Sequence, residues 1–207
     1  MSFENLGLSP GILQALRAKN YTTPTPIQSQ AIPVIMQGRD VIGCAQTGTG
    51  KTAGFTLPIL DRLQKGESPL LRALILVPTR ELATQVHDSV KAYGSHLQLR
   101  TMVVFGGVGT DAQKQAFRRG VDIVIATPGR LLDHLRQRNV SFKHLEVLVI
   151  DEADRMLDMG FIDDVRTVIK SIPLKRQTLL FSATMPGEIR KLANEILKQP
   201  EFIEIVR

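Results

Sequence analysis

The sequence lacks the cysteines, the long apolar runs and the leader that indicate a secreted or membrane protein. Its 207 residues include one cysteine, Cys44, which excludes an internal disulfide and a zinc site built on several cysteines. No apolar run approaches the roughly 18 residues that span a bilayer, and residues 1–4 show neither the basic flank nor the apolar core of a signal peptide. These absences predict a cytoplasmic protein without a membrane partner.

Aromatic residues are also scarce, at 5% of the chain with no tryptophan. The 43% hydrophobic and 22% charged content is nevertheless that of an ordinary soluble domain, and the length predicts one domain with a substantial core. The net charge of +6 permits a polyanionic partner. A net positive charge without a cluster of basic residues is weak evidence for such a partner, so the functional interpretation rests on the motifs.

Residues 45–52, Ala-Gln-Thr-Gly-Thr-Gly-Lys-Thr, follow a short apolar run at 41–44 and precede a predicted helix. This is the setting of a phosphate-binding loop, in which glycines let successive N–H groups point at phosphate oxygens and the helix N-terminus adds its positive dipole end. Lys51 is predicted to reach the β- and γ-phosphates from an exposed position, and Thr52 to offer its hydroxyl to Mg²⁺. The predicted nucleotide-binding residues of the loop are Gln46, Thr47, Gly48, Thr49, Gly50, Lys51 and Thr52.

One feature of this loop leaves room for another interpretation. The general phosphate-loop pattern begins with glycine, but Ala45 stands there. An ordinary Gly/Thr turn is the alternative, and the strand-loop-helix setting makes it the weaker one.

The rest of the chain alternates apolar runs with helical patterns, which predicts a βαβ architecture. The apolar runs do not alternate with polar residues, as expected for parallel strands covered by helices on both faces. We therefore predict an α/β fold with a mostly parallel sheet of about seven strands. The predicted strands are 41–44, 73–77, 101–105, 122–126, 146–150, 177–181 and about 202–206. The predicted helices are 9–20, one capped at Thr25-Pro26, 51–64, 80–93, 111–119, 130–138, 162–172 and 187–197.

Ligands of such sheets bind outside the carboxyl ends of the strands. After the strand ending at Ile150 come three carboxylates in four residues, 151–154, whose mutual repulsion needs a cation or hydrogen bonds to offset it. We expect Asp151 to hold Mg²⁺, directly or through water, and Glu152 to orient or deprotonate the attacking water in phosphoryl transfer. An acidic helix N-terminus is the alternative for this tetrad in isolation.

Three other strand ends carry small residues and arginines that suit the backbone of one nucleic-acid strand. Taken singly, each has an ordinary structural explanation as a helix cap, a tight turn or a solvated first-turn residue. The basic residues at 114, 118, 119, 136, 138 and 143 are read as solvated surface. The candidate nucleic-acid-binding residues are Pro78, Thr79, Arg80, Gly106, Gly107, Thr127, Pro128, Gly129 and Arg130.

An aromatic and an amide precede the phosphate loop, at Tyr21 and Gln28. A tyrosine ring can stack on a nucleobase, and an amide supplies both a donor and an acceptor to its edge. From spacing alone, core packing of Tyr21 and a solvated position for Gln28 are the favoured alternatives.

Assembled, these motifs resemble the first of the two RecA-like domains of a DEAD-box ATP-dependent RNA helicase, over residues 3–207. Ala45 is what this family usually has in motif I, whereas Asn20 stands where its Q motif often has glycine. Phe3 matches an upstream aromatic of the family, and residues 155–161 are similar to bacterial RhlE-like members. The matching segments are the Q motif at 21–28, motif I at 45–52, Ia at 78–82, GG at 106–107, Ib at 127–130, II at 151–154 and III at 182–184.

The resemblance implies that Tyr21 stacks on adenine and Gln28 reads its edge. It also implies that Ser182 and Thr184 couple ATP hydrolysis to RNA release through Asp154. RNA would be held by its backbone with little sequence preference, and a second RecA-like domain, absent from this chain, would grip the neighbouring stretch. The chain alone, expected to be a monomer, should bind ATP with Mg²⁺ but be nearly inactive.

Other phosphate-loop NTPases remain as alternatives. A DNA helicase differs in its dependence on the 2′-hydroxyl, and a nucleotide kinase needs a lid and an acceptor pocket for which no segment is found. A non-enzymatic, ATP-gated RNA clamp is a third interpretation. The retained Lys51, Thr52, Asp151 and Glu152 favour hydrolysis.

Overall fold

A computed structural model describes residues 1–206 and contains one sheet of parallel strands in the order β3-β4-β2-β5-β6-β1-β7. Every strand pairing is parallel, so the predicted seven-stranded α/β fold is confirmed. The strands are β1 Val41–Cys44, β2 Ala73–Leu76, β3 Thr101–Val104, β4 Ile123–Ala126, β5 Val147–Ile150, β6 Gln177–Ser182 and β7 Glu201–Glu204.

The observed elements end within one or two residues of the predicted bounds, with two additions. A 3-10 helix at Phe3–Leu6 and the short helix α7 were not predicted, because four to six residues are too few to show a helical period. The α-helices are α1 Pro10–Ala18, α2 Pro26–Met36, α3 Lys51–Leu63, α4 Arg80–Tyr93, α5 Asp111–Arg119, α6 Pro128–Arg136, α7 Ala153–Asp158, α8 Ile162–Lys170 and α9 Gly187–Ile196.

Both faces of the sheet are covered by helices. Side chains that alternate along β2 enter different cores: Ile75 packs in the core with α1 to α4, and Leu74 and Leu76 in the core with α6 to α9. This explains the unbroken apolar runs, since a parallel strand buried on both faces has no solvated side. Among residues 1–206, no helix has the length and apolar character of a membrane span.

The strand order places the candidate motifs in two neighbouring groups at the carboxyl edge of the sheet. β5, β6 and β1 are adjacent, so motif II, motif III and the phosphate loop meet there. β3, β4 and β2 are adjacent in the other half, which brings the GG, Ib and Ia segments together. Chain topology alone therefore separates a candidate nucleotide half from a candidate RNA half.

Candidate functional site

The phosphate loop depends on two glycines in the left-handed region, with φ of 85° at Gly48 and 86° at Gly50. Gly50 also lies against α2, where an added Cβ would come 2.5 Å from Gln28 Nε2 and 2.9 Å from Thr25 Oγ1. Any other residue there would be strained and would collide with the Gln28 side chain. Thr49 Oγ1 donates to Gln46 O at 2.8 Å and closes the turn ahead of α3.

Lys51 is buried, with 6% of its surface exposed, so the prediction of an exposed lysine is wrong. Its Nζ lies 3.1 Å from Asp151 Oδ1 and 3.9 Å from Glu152 Oε1. Lys51 begins α3 behind β1, and its chain reaches across the end of β6 to the carboxylates that follow β5. The carboxylates of motif II therefore neutralise the charge of the lysine.

Asp151 is fully buried, and burial raises the pKa of its carboxyl, while the Lys51 ammonium only partly offsets this effect. Oδ1 contacts Lys51 and also accepts a hydrogen bond from Glu152 N at 2.9 Å. Oδ2 has no hydrogen-bond partner within the described residues. A buried carboxylate oxygen without a partner is costly unless a ligand or an ion completes its contacts.

That unpartnered oxygen fits a magnesium site completed by phosphate. Residues 1–206 contain no cluster of three or more His, Cys, Asp or Glu side chains arranged to hold a metal ion. Mg²⁺ commonly takes one or two protein oxygens and fills its other positions with phosphate and water. The carboxylate of Asp151 and the hydroxyl of Thr52, in the first turn of α3, are donors of the required type.

Glu152 has a backbone φ of 53°, a left-handed conformation that is unusual for a glutamate. Such strain persists only where the surrounding structure imposes it, and it concentrates at functional sites. Sequence reasoning missed a second contact here: Arg155 Nη1 lies 3.4 Å from Glu152 Oε2. The i,i+3 spacing of Glu152 and Arg155 in the sequence is the signal that could have indicated this pair.

The three candidate coupling residues are hydrogen-bonded to one another. Asp154 Oδ2 accepts from Thr184 N at 3.1 Å and from Thr184 Oγ1 at 2.9 Å, and Asp154 N donates to Ser182 Oγ at 3.1 Å. Partial burial raises the pKa of Asp154, but the hydroxyls of Thr184 and Ser182 and neighbouring N–H groups outweigh it and lower that pKa. Motifs II and III are thus connected by hydrogen bonds across the ends of β5 and β6.

A pocket of about 290 Å³ opens beside the phosphate loop, lined by the Q-motif residues and by Tyr93 of α4. Tyr21 is half exposed, with its ring centroid 6.4 Å from that of Tyr93, so core packing of Tyr21 is excluded. Tyr93 was missed, since nothing in the sequence links it to residue 21. Asn20 has a φ of 59°, and asparagine tolerates this conformation, which explains how it replaces glycine.

Gln28 is buried and bonded on both sides of its amide, so the solvated alternative is wrong. Oε1 accepts from Thr25 N at 3.0 Å, which caps α2, and Nε2 donates to Gly50 O at 3.0 Å. One N–H of Nε2 and one lone pair of Oε1 remain available for further hydrogen bonds. Gln28 therefore joins the Q motif to the phosphate loop and still presents a donor and an acceptor.

The three RNA-candidate segments lie side by side, as their strand order requires. Thr79 caps α4 by accepting from Leu82 N at 3.2 Å, so its ordinary structural role is real. Arg130 is not a solvated residue, because its Nη1 donates to Val108 O at 2.8 Å. Exposed backbone remains at the segment ends, at Gly106, Gly107 and Gly129. Pro78 and Pro128 are buried, Thr127 is half-buried and Arg80 is exposed.

A family model described as DEAD/DEAH box helicase matches residues 25–192, which include the phosphate loop, the carboxylate tetrad and all three strand-end segments. The chain belongs to this helicase family. It is 45% identical over 205 residues to the ATP-dependent RNA helicase CshA of Limosilactobacillus reuteri, covering 99% of this chain and 41% of the relative. It is 46% identical over 204 residues to the DEAD-box ATP-dependent RNA helicase RhpA of Helicobacter pylori, with the same coverage.

A solved structure of a DEAD box protein from the hyperthermophile Methanococcus jannaschii superimposes with a TM-score of 0.94 at 38% identity, over 99% of this chain and 56% of that one. The RecA-like architecture of the DEAD-box family is therefore confirmed for this chain. The chain spans 41% of the length of the two curated relatives. The relatives carry the names CshA and RhpA, so membership of the RhlE-like subgroup stays a prediction.

Proposed function

We propose that this chain is the ATP- and RNA-binding N-terminal half of a DEAD-box RNA helicase, in which ATP hydrolysis drives local RNA duplex unwinding. One observation carries the proposal. At the carboxyl edge of the sheet, the phosphate-loop lysine contacts the two carboxylates that follow β5. The three candidate RNA segments follow the neighbouring strands β2, β3 and β4 at the same edge.

In the nucleotide half, Lys51 would exchange its contact with Asp151 for the β- and γ-phosphates. Thr52 and Asp151 would hold Mg²⁺, which when bound neutralises phosphate charge and orients the triphosphate. Glu152 would orient the attacking water and accept its proton. Tyr21 would stack on adenine, and Gln28 would use its free donor and acceptor on the base edge.

In the RNA half, the Ia, GG and Ib segments would hold one strand by its phosphates, with little sequence preference. The Asp154, Ser182 and Thr184 triad would transmit the state of the nucleotide to that half. Residues 1–207 would form a single RecA-like domain that is monomeric and cytoplasmic, and a second such domain of the same natural chain would complete both sites.

The adenine contacts predict that ATP binds this chain more tightly than GTP does. Both ligands carry the same triphosphate, so its contacts with the phosphate loop contribute equally to the two affinities. The guanine edge would leave buried polar groups without hydrogen bonds, which costs about 1–3 kcal/mol, or roughly 5- to 150-fold in affinity. Calorimetric titration of each nucleotide measures the ratio. Gln28→Ala removes both the free donor and the free acceptor, together with the bonds to Thr25 N and Gly50 O, and it should erase the preference. A ratio near one in the parent chain would exclude these contacts.

Phosphate contacts predict weak, salt-dependent and sequence-tolerant RNA binding. For single strands, the logarithm of the binding constant falls with the logarithm of salt concentration by about 0.7 per phosphate contact. Arg130→Ala should flatten this slope by about 0.7 or more, because it removes a charge and also the bond to Val108 O. Fluorescence anisotropy with a labelled single-stranded RNA measures the slope.

The matched control for this measurement is Arg136→Ala, at an exposed arginine in the last turn of the same helix. It should leave the slope unchanged. A DNA strand of the same sequence tests recognition of the 2′-hydroxyl. Tight RNA binding that ignores salt would show that another surface or base stacking dominates.

A further inference from the structure

A buried polar cluster joins α5 to α6 beneath the three RNA-candidate segments. Gln113 is 8% exposed and His134 1% exposed. His134 Nε2 lies 2.7 Å from Gln113 Oε1, and Asn139 Nδ2 lies 3.0 Å from His134 Nδ1. Amide and imidazole groups are unfavourable in a helix interface unless their hydrogen bonds are made, so their presence in place of apolar side chains needs an explanation.

The hydrogen-bond roles in this cluster follow from a further contact of Gln113. Its Nε2 donates to the backbone oxygen of Phe105 at 3.2 Å, which leaves Oε1 as the acceptor for the N–H of His134 Nε2. His134 Nδ1 then accepts from the Asn139 amide. Burial, and after it the charge of Arg130, lower the pKa of His134 and favour this neutral ring. A network with its members satisfied in this way is rigid.

The same amide connects all three segments. Gln113 Oε1 accepts from Arg130 Nη1 at 3.4 Å, and that nitrogen also donates to Val108 O at 2.8 Å. Arg80 Cζ lies 4.6 Å from the centroid of the Phe105 ring. Gln113 thus contacts the segments after β3 and β4 directly, and the segment after β2 through the ring of Phe105.

We propose that Gln113 is a positioning residue that sets the relative placement of the Ia, GG and Ib segments, so that their phosphate-binding groups form one surface before RNA arrives. Gln113 itself carries no charge, and its amide faces the buried cluster. It acts through Arg130, Phe105 and Val108. The inference rests on the proposed RNA-binding function and deepens it by naming what fixes the geometry of that surface.

The physical reason is preorganisation. The residues that follow Phe105 include three glycines at 106, 107 and 109, so this stretch has much conformational freedom to lose when it binds RNA. The hydrogen bonds that Gln113 donates to Phe105 O and Arg130 donates to Val108 O restrict that freedom in advance and reduce the cost of ordering. They also keep the guanidinium of Arg130 beside the glycine-rich turn, where both can act on one strand.

The test replaces the uncharged Gln113 with another uncharged residue, which should nevertheless change the salt dependence of RNA binding. Gln113→Met keeps an unbranched side chain of similar length but removes every hydrogen bond of the amide. RNA affinity should fall about tenfold, the lower end of the scale for losing one charged hydrogen bond. The salt slope should fall by about 0.7 or more, as if a phosphate contact had been lost. ATP affinity should not change, because the phosphate loop lies in the other half of the sheet.

The matched control is Gln115→Met, two residues further along α5 and exposed. It should leave both RNA affinity and slope as in the parent chain. A second variant, Asn139→Ala, removes the outer hydrogen bond to His134 without changing Gln113, and should shift the slope in the same direction by a smaller amount. If Gln113→Met does not fold, Asn139→Ala decides the question.

The inference would be overturned if the parent chain binds RNA and the salt slopes of Gln113→Met and Asn139→Ala equal that of the parent. That result would leave the proposed function standing. An equal loss of RNA and ATP affinity in Gln113→Met would indicate general unfolding of that variant. An Asn139→Ala slope equal to that of the parent would then overturn the inference. A parent chain that binds no RNA would overturn the proposed RNA function and this inference with it.

Discussion

Lys51→Ala should weaken ATP binding by at least about tenfold, because a charged hydrogen bond to phosphate contributes about 1.5–3 kcal/mol. It should also destabilise the ligand-free chain, since Asp151 is fully buried and would lose its ammonium partner at 3.1 Å. Removing one partner of a buried ion pair costs about 3–5 kcal/mol. Calorimetry measures the first effect and chemical denaturation the second.

The stability loss should depend on pH. Burial already raises the pKa of Asp151, and removal of Lys51 raises it further, so the folded variant retains a proton that the unfolded chain releases above its ordinary value of 3.8. Stability of Lys51→Ala relative to the parent should therefore decrease as the pH rises above that ordinary value.

The control for Lys51→Ala is the double variant Lys51→Ala/Asp151→Asn, which has no buried carboxylate to leave unpaired. It should recover much of the lost stability and lose the pH dependence, yet still bind ATP poorly. Equal ATP affinity in parent and Lys51→Ala would contradict the role of the lysine. Equal stability in both would contradict the importance of the buried pair.

The isolated chain should bind ATP but hydrolyse it at a negligible rate and fail to unwind a duplex. The negative charge on the phosphoryl group in the transition state is usually stabilised by a metal ion, a lysine and an arginine. An arginine finger increases the rate by about 10³–10⁵. Arg80 and Arg130 belong to the candidate RNA segments, and Arg155 is paired with Glu152. The missing arginine would come from the second domain.

RNA-stimulated phosphate release at saturating ATP measures this expectation. Fusion of a second RecA-like domain from a close relative, or its addition in trans, should restore RNA-dependent turnover. A Glu152→Gln version of the fusion provides the control for contaminating ATPase. Turnover by the isolated chain near ~1 s⁻¹, the low end of typical enzyme rates, would show that the required arginine is already present.

Much of the fold could be predicted from the sequence because parallel strands buried on both faces leave a strong local signal. Runs such as 73–77 and 147–150 are apolar throughout, and turn residues separate them from helical periods. The position of site residues at the carboxyl ends of strands follows from general rules for such sheets. These two facts placed the phosphate loop and the Asp151 carboxylate correctly.

The pairing of residues across the site could not be predicted, because it depends on strand order and side-chain reach. Lys51 was expected to be exposed, but the order β5-β6-β1 puts Asp151 within reach of its ammonium. Spacing alone favoured a solvated face for Gln28, although its side chain bonds to a residue 22 positions away. Gln113 went unnoticed because an amide in an amphipathic helix carries no periodic signal.

The central claim is that one edge of the sheet binds ATP in one half and RNA in the other. Backbone NMR of the isotope-labelled chain, titrated with Mg²⁺-ATP and then with single-stranded RNA, tests it most directly. ATP should shift resonances of residues 21–28 and 45–52 together with Asp151 and Glu152. RNA should shift those of 78–82, 105–109 and 127–130. Shifts confined to the opposite edge of the sheet, around residues 38–40 and 65–72, would contradict the account.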